Sequence, residues 1–222
     1  MAIQIQGNGS TVAEVDGTGF RALRVSARPT DYGTLGHYNW GGPTGVLPAA
    51  LAANSEVFQF RWTDATRFAV IQRIRLSAAV STTFFVAGAP VQIEMVKSTA
   101  WTVQGTGGTG ITIGANLKKR NSMGSSLVAA GDIRISSTAA LGAGTKTLDT
   151  NAMTNIVAPG PTASPGVILP AGSILWEQHT GDGEMPLVLV QNEGISVRVP
   201  NVPGTGTWQM SVDISWAEVA AF

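Results

Sequence analysis

The sequence predicts an all-β fold: an antiparallel β-sandwich of jelly-roll type with long Gly/Ala/Ser/Thr-rich loops and little helix. Three observations predict it. Apolar and polar residues alternate with period two in several segments, as a strand with one buried face requires. Turn-forming residues punctuate the chain, with 27 Gly and 11 Pro in 222 residues. No long segment holds a 3.6-residue period, so the crossover helices of a parallel α/β fold are missing.

Taken in order, residues 3–6, 11–15 and 20–27 read as N-terminal strands. Residues 47–53, with an Ala-rich run after Pro48, read as one or two helical turns. In residues 56–62, Phe58, Phe60 and Trp62 oppose Val57, Gln59 and Arg61. Residues 68–76 set Phe68, Val70, Ile74 and Leu76 on one face, with Gln72 as a polar exception. The other face carries Ala69, Ile71, Arg73 and Arg75. The intervening residues 63–66 suit a tight connection. Val91, Ile93 and Met95 mark a further strand, and residues 174–178 and 187–191 two more around a Gly-rich loop. The plainest alternation is at the C-terminus, where Trp208, Met210, Val212, Ile214 and Trp216 share a face. Ile195, Val197 and Val199 alternate just before it, and the turn-rich residues 200–206 predict that the two segments form a hairpin.

The chain is expected to be a single β domain over residues 1–222. Within it, residues 1–25 form an extended arm or edge strand, and residues 104–173 a loop-rich insertion poor in alternation. Charged residues make up 13% of the chain, against about 25% in average soluble domains. So few charges protect a surface poorly against association, which predicts that much of it is covered in an oligomer or larger particle. Lys plus Arg and Asp plus Glu are 14 each, so no net field attracts nucleic acid or an anionic membrane. The one basic cluster, Lys118, Lys119 and Arg120, reads as a solvated loop. Cysteine is absent, which removes disulfides and thiolate metal sites and fits synthesis in a reducing cytoplasm. The first residues show no secretory signal, and no apolar run reaches the roughly 18 residues of a membrane helix.

No motif carries catalysis. Gly105, Gly107 and Gly110 match a dinucleotide fingerprint in spacing, but the strand-like Ile111 and Ile113 follow where a helix is needed. Residues 142–146 lack phosphate-loop spacing. The only histidines are His37 and His179, so a two-histidine metalloprotease helix is excluded. His179, Asp182 and Glu184 lie close in sequence without ordered ligand spacing and read as a polar hairpin. The carboxylate pairs Glu14 with Asp16 and Glu177 with Glu184 are not singled out for glycoside hydrolysis. Asn8 with Ser10 forms a glycosylation sequon that reads as a turn. The expectation is therefore no enzyme, no cofactor and no metal.

Two stretches carry a resemblance. The opening Ile3-Gln-Ile-Gln-Gly-Asn-Gly-Ser-Thr-Val-Ala-Glu-Val-Asp-Gly17, with Phe20-Arg-Ala-Leu-Arg-Val25 and Arg28-Pro-Thr-Asp-Tyr-Gly33, resembles a family of tailed-bacteriophage virion proteins. Leu187-Val-Leu-Val-Gln-Asn-Glu-Gly-Ile195, Gly204-Thr-Gly-Thr-Trp208 and Ser215-Trp-Ala-Glu-Val219 are similar to the end of those proteins. The resemblance covers about the first 35 and last 40 residues and implies a capsid cement or decoration protein. Such a protein sits on the capsid surface, binds between major capsid protein subunits, and forms a homo-oligomer, with a trimer favoured. No active-site residue is part of the match. The candidate interface residues are Ile3, Ile5, Val12, Val15 and Phe20 in the arm, with Tyr32, Tyr38 and Trp40 after it. The alternative is a tail- or head-fibre module that binds a receptor or carbohydrate, with Tyr32, Tyr38, Trp40 and Trp101 stacking on sugars.

Overall fold

The computed structural model describes residues 15–16, 22–23, 36–83, 85, 89–113, 124–163, 166–179, 186–201 and 204–220. Among them there are fifteen strands and no helix. In chain order they are β1 (Val15–Asp16), β2 (Ala22–Leu23), β3 (His37–Pro43), β4 (Leu47–Pro48), β5 (Ser55–Trp62), β6 (Phe68–Val80), β7 (Val91–Val103) and β8 (Thr109–Ile111). There follow β9 (Ile133–Ile135), β10 (Thr145–Leu148), β11 (Thr154–Ala158), β12 (Val167–Glu177), β13 (Leu187–Leu189), β14 (Glu193–Asn201) and β15 (Thr207–Val219).

Two antiparallel sheets face each other. The first runs β12-β6-β15-β3, with β13 beside β6 and β4 beside β15. The second runs β10-β7-β14-β5-β9-β8, with β11 also on β7. Along the chain β3, β5, β6 and β7 alternate between the sheets, β10 and β11 stay with β7, and β12, β14 and β15 alternate again. That order is two interleaved Greek keys, the jelly-roll arrangement the sequence predicts. The β8–β9 ribbon extends the second sheet beyond β5. β1 and β2 pair only with each other.

One apolar core fills the space between the sheets and takes residues from Tyr38 to Trp216. Trp208, Met210, Val212, Ile214 and Trp216 are all fully buried, so the alternation in β15 is used without interruption. Trp216 stacks on Tyr38 of its own sheet at 5.7 Å between ring centroids and meets Phe60 of the opposite sheet edge-on at 5.4 Å. Trp40 stacks on Phe58 across the sheets at 5.9 Å. Offset and edge-on aromatic pairs add about 0.5–1.5 kcal/mol beyond area burial.

Several expectations need correction. Residues 195–199 and 207–219 do not form a hairpin. β14 pairs with β5 and β7, whereas β15 pairs with β3, β4 and β6, so the two strands belong to different sheets. Each strand has one apolar face, and both faces are satisfied by opposing each other across the core. The same holds for β5 and β6, whose short link is tied by Asp64 Oδ1 accepting from the backbone N–H groups of Thr66 and Arg67. The helical turn expected at residues 47–53 is absent. Leu47 and Pro48 instead pair with Trp208 and Thr207, burying Leu47 completely. In β6 the register against β15 passes over Gln72, placing Ile71 opposite Trp216 and Arg73 opposite Ser215. This bulge reverses the phase. Ile71 and Ala69 therefore join Ile74 and Leu76 in the core, while Phe68 and Val70 turn outward to a small second cluster with Ala217, Val219 and Val188.

Residues 104–173 contribute more strand than expected: β8 to β11 and the start of β12. β8, β9 and β10 are only three or four residues long, so period two has no length over which to show.

The fold gives two expected outcomes in denaturant unfolding. Trp216→Ala, which empties the junction of Tyr38 and Phe60, costs about 3–5 kcal/mol. A Cβ at Gly194 meets the Phe60 carbonyl oxygen at 2.3 Å and the Trp101 ring at 2.6 Å, so Gly194→Ala costs about 1–3 kcal/mol through overpacking.

Candidate interaction surface

The outward faces of the two sheets differ in chemistry. On the second sheet, polar and charged groups lie beneath Gly105, Gly142 and Lys146. The register between β5 and β14 shifts between Val197 and Arg198, passing over Val57. Glu56 thereby falls on the same face as Gln59, whose Nε2 donates to Glu56 Oε2 at 2.8 Å. Lys146 Nζ donates to the same Oε2 at 2.5 Å and to Ser196 Oγ at 3.2 Å, and lies 3.9 Å from the Trp101 ring centroid. The Lys146 and Glu56 side chains are 2% and 5% exposed. Burial pulls the Lys146 amine below its ordinary range, opposed by its hydrogen bond and charge pairing with Glu56.

Neighbouring ion pairs continue this face. Arg198 pairs with the buried Glu94. Arg61 holds Asp132 Oδ1 through Nε at 2.9 Å and Nη2 at 2.6 Å, while Thr63 donates to Asp132 Oδ2 at 2.8 Å. These contacts fasten the turn before β9 to β5.

The outward face of the first sheet carries the Arg75–Glu177 ion pair, at 3.5 Å, and an uncharged stretch beside it. A shallow depression of about 470 Å³ opens where β12 arches away from β6. Leu169 pairs with Ala78 and Ser173 with Leu76, so Ser77 stands opposite three residues, Pro170, Ala171 and Gly172. Small or apolar side chains such as Ala79, Val167, Leu169 and Pro170 line the depression with Gln209 and Ser211, and no lining residue is charged. Val167 and Ile174 of β12 are 65% and 52% exposed, and Val157 of the adjoining β11 is 64% exposed. Among the described residues, every exposed large hydrophobic is aliphatic or Met.

At the far end of β15, Glu218 is fully buried. Its Oε1 accepts from Ser126 Oγ at 2.6 Å and Trp216 Nε1 at 3.1 Å, and its Oε2 accepts from Leu127 N at 3.0 Å. The carboxylate thus ties residues 126–127 to the sandwich. Burial raises the Glu218 carboxyl above its ordinary value, and the three hydrogen bonds only partly oppose it. Next to it the Tyr38 hydroxyl is pushed up to about 12, by burial and then by the Glu218 charge.

The sequence-selected residues are not brought together as one surface. Tyr38 and Trp40 are 1% and 7% exposed and belong to the intersheet core, so their rings have no face left for a partner or a sugar. Trp101 is likewise buried, beneath Lys146. Large rings on alternating strand positions read alike in sequence whether they point inward or outward. Val15 lies in β1, paired with Leu23. Ile3, Ile5, Val12, Phe20 and Tyr32 lie outside the described residues, as do Asp182, Glu184 and the cluster at residues 118–120. Residues 105–110 lead into β8, which pairs antiparallel with β9. Sequence reasoning missed the Glu56, Gln59 and Lys146 group, because its members come from strands 90 residues apart and one is re-aimed by a bulge.

Comparison of the chain with protein-family models, curated proteins and solved structures found no match.

The Glu218 carboxyl makes stability depend on pH. Its folded-state value lies above the unfolded one, so the folded chain holds the proton more tightly. The associated stabilisation is fully present below the ordinary value of 4.5 and is lost as pH rises through the folded value. Glu218→Gln, neutral at every pH, should flatten this slope. Melting curves across the acid-to-neutral range check it.

Proposed function

We propose that this chain is a virion structural protein of the capsid cement or decoration type. It binds between major capsid protein subunits as a homo-oligomer, with a trimer favoured, and performs no turnover. The observation that carries the reading is the set of exposed aliphatic side chains on β11 and β12, Val157, Val167 and Ile174, together with the depression beside Val167, whose lining holds no charged residue. Exposed apolar surface of this kind marks contacts between proteins. A cement protein works by binding assembled shell better than free subunits, which stabilises the shell by linkage. The 13% charged content and the resemblance of both chain ends to tailed-phage virion proteins support the same reading. Fold does not select it alone, because jelly rolls serve capsids, lectins and enzymes alike.

Copy number in purified particles, measured against the major capsid protein, tests the role. Hundreds of copies in a simple ratio support a decoration protein. A handful of copies moves the chain to a tail or fibre, and absence from the particle removes the proposal. At residue level, the double variant Val167→Lys with Ile174→Lys should bind capsids about 10- to 100-fold more weakly, as expected for losing roughly 1.4–2.8 kcal/mol of apolar contact. Its Tm should be unchanged, since both side chains are mostly exposed in the single chain.

A further inference from the structure

The buried group on the outer face of the second sheet has the parts of a self-reacting centre. We propose that Lys146 and Gln59 form an intramolecular isopeptide bond, with Glu56 as the catalytic residue that carries the proton. Three features of the geometry support this, and none depends on the proposed role in a particle.

First, the nucleophile and the leaving group share one carboxylate oxygen. Glu56 Oε2 accepts from Lys146 Nζ at 2.5 Å and from Gln59 Nε2 at 2.8 Å. Second, the amide is locked in the orientation the reaction needs. Gln59 Nε2 also donates to the Gly142 carbonyl oxygen at 2.9 Å, so a flipped amide would turn its own oxygen toward two acceptors. The carbonyl oxygen, Gln59 Oε1, is buried without a hydrogen-bond partner. Third, water is kept out. Gln59 and Trp101 are fully buried, and the backbone of Gly105 lies so close that a Cβ there would meet Gln59 Oε1 at 2.5 Å and the Gly142 carbonyl oxygen at 2.0 Å. The Trp101 ring closes the other side of the amine.

A buried amine favours its neutral form, which is the nucleophile. One proton of the Lys146 ammonium passes to Glu56, and the freed lone pair forms the Nζ–Cδ bond to Gln59. A proton from the adding nitrogen travels by way of Glu56 to Nε2. The Cδ–Nε2 bond breaks, and ammonia leaves with that electron pair. The products are one amide and one ammonia, with no change of oxidation state and no co-reactant. The preset contacts supply proximity and proton transfer in a dry site, where a carboxyl is an effective shuttle. The bond would close the chain between β5 and β10, fixing the segment that covers this face.

The test is intact mass followed by peptide mapping of the folded, full-length chain, incubated for days after purification. The expected result is a chain lighter than its sequence by one ammonia. A branched peptide should join Gln59 to Lys146, with tryptic cleavage after Lys146 lost. Lys146→Arg and Glu56→Gln should keep the full sequence mass. A parent chain at full mass with free Lys146 would overturn the proposal, leaving the group as a buried ion pair. So would an ammonia loss mapped elsewhere, such as at Asn8 before Gly9. A cross-link that survives in Glu56→Gln would overturn the assignment of Glu56. Should a variant fail to fold, the peptide map of the parent chain decides alone.

Discussion

The structure depends on aromatic side chains interlocking between two sheets. Trp216 is held between Tyr38 beside it and Phe60 across from it, and Trp40 lies on Phe58. These contacts fix which strands oppose each other and how far the sheets slide, because close-packed rings tolerate little displacement. β15 supplies the most regular part of this wall, with five consecutive inward positions all buried. β3 and β6 flank it, so the middle of the first sheet is set by one strand and its two neighbours.

Bulges then decide what the surfaces carry. The one at Gln72 keeps Ala69, Ile71, Ile74 and Leu76 on the core side of β6 and turns Phe68 and Val70 outward into a second cluster. The one at Val57 brings Glu56 beside Gln59 and makes possible the contact with Lys146. The arch of β12 around Pro170 opens the uncharged depression. In each case an irregularity of one or a few residues changes the chemistry of a face without disturbing the core, as bulges commonly do.

The two outward faces consequently divide the work. One is polar and ion-paired, with Gly105, Gly142 and Lys146 of the chain itself packed on Glu56 and Gln59. The other carries the Arg75–Glu177 ion pair and, beside it, exposed aliphatic side chains and a depression lined by no charged residue.

The sequence by itself determined the all-β class, the sandwich and jelly-roll expectation, and the inward face of β15, because period two is a local property of a strand with one buried side. It also marked Phe58, Phe60 and Trp62 correctly as one face. What it left open was pairing. An apolar face is satisfied equally by a neighbour in the same sheet or by the opposite sheet, so β14 and β15 read as a hairpin when they belong to different sheets. The burial of Tyr38, Trp40 and Trp101 was undecided for the same reason, since an aromatic at an alternating position looks the same pointing in or out. Only the tertiary structure brought Lys146 to Glu56 and Gln59, because neither their separation in sequence nor the bulge at Val57 leaves a periodic trace.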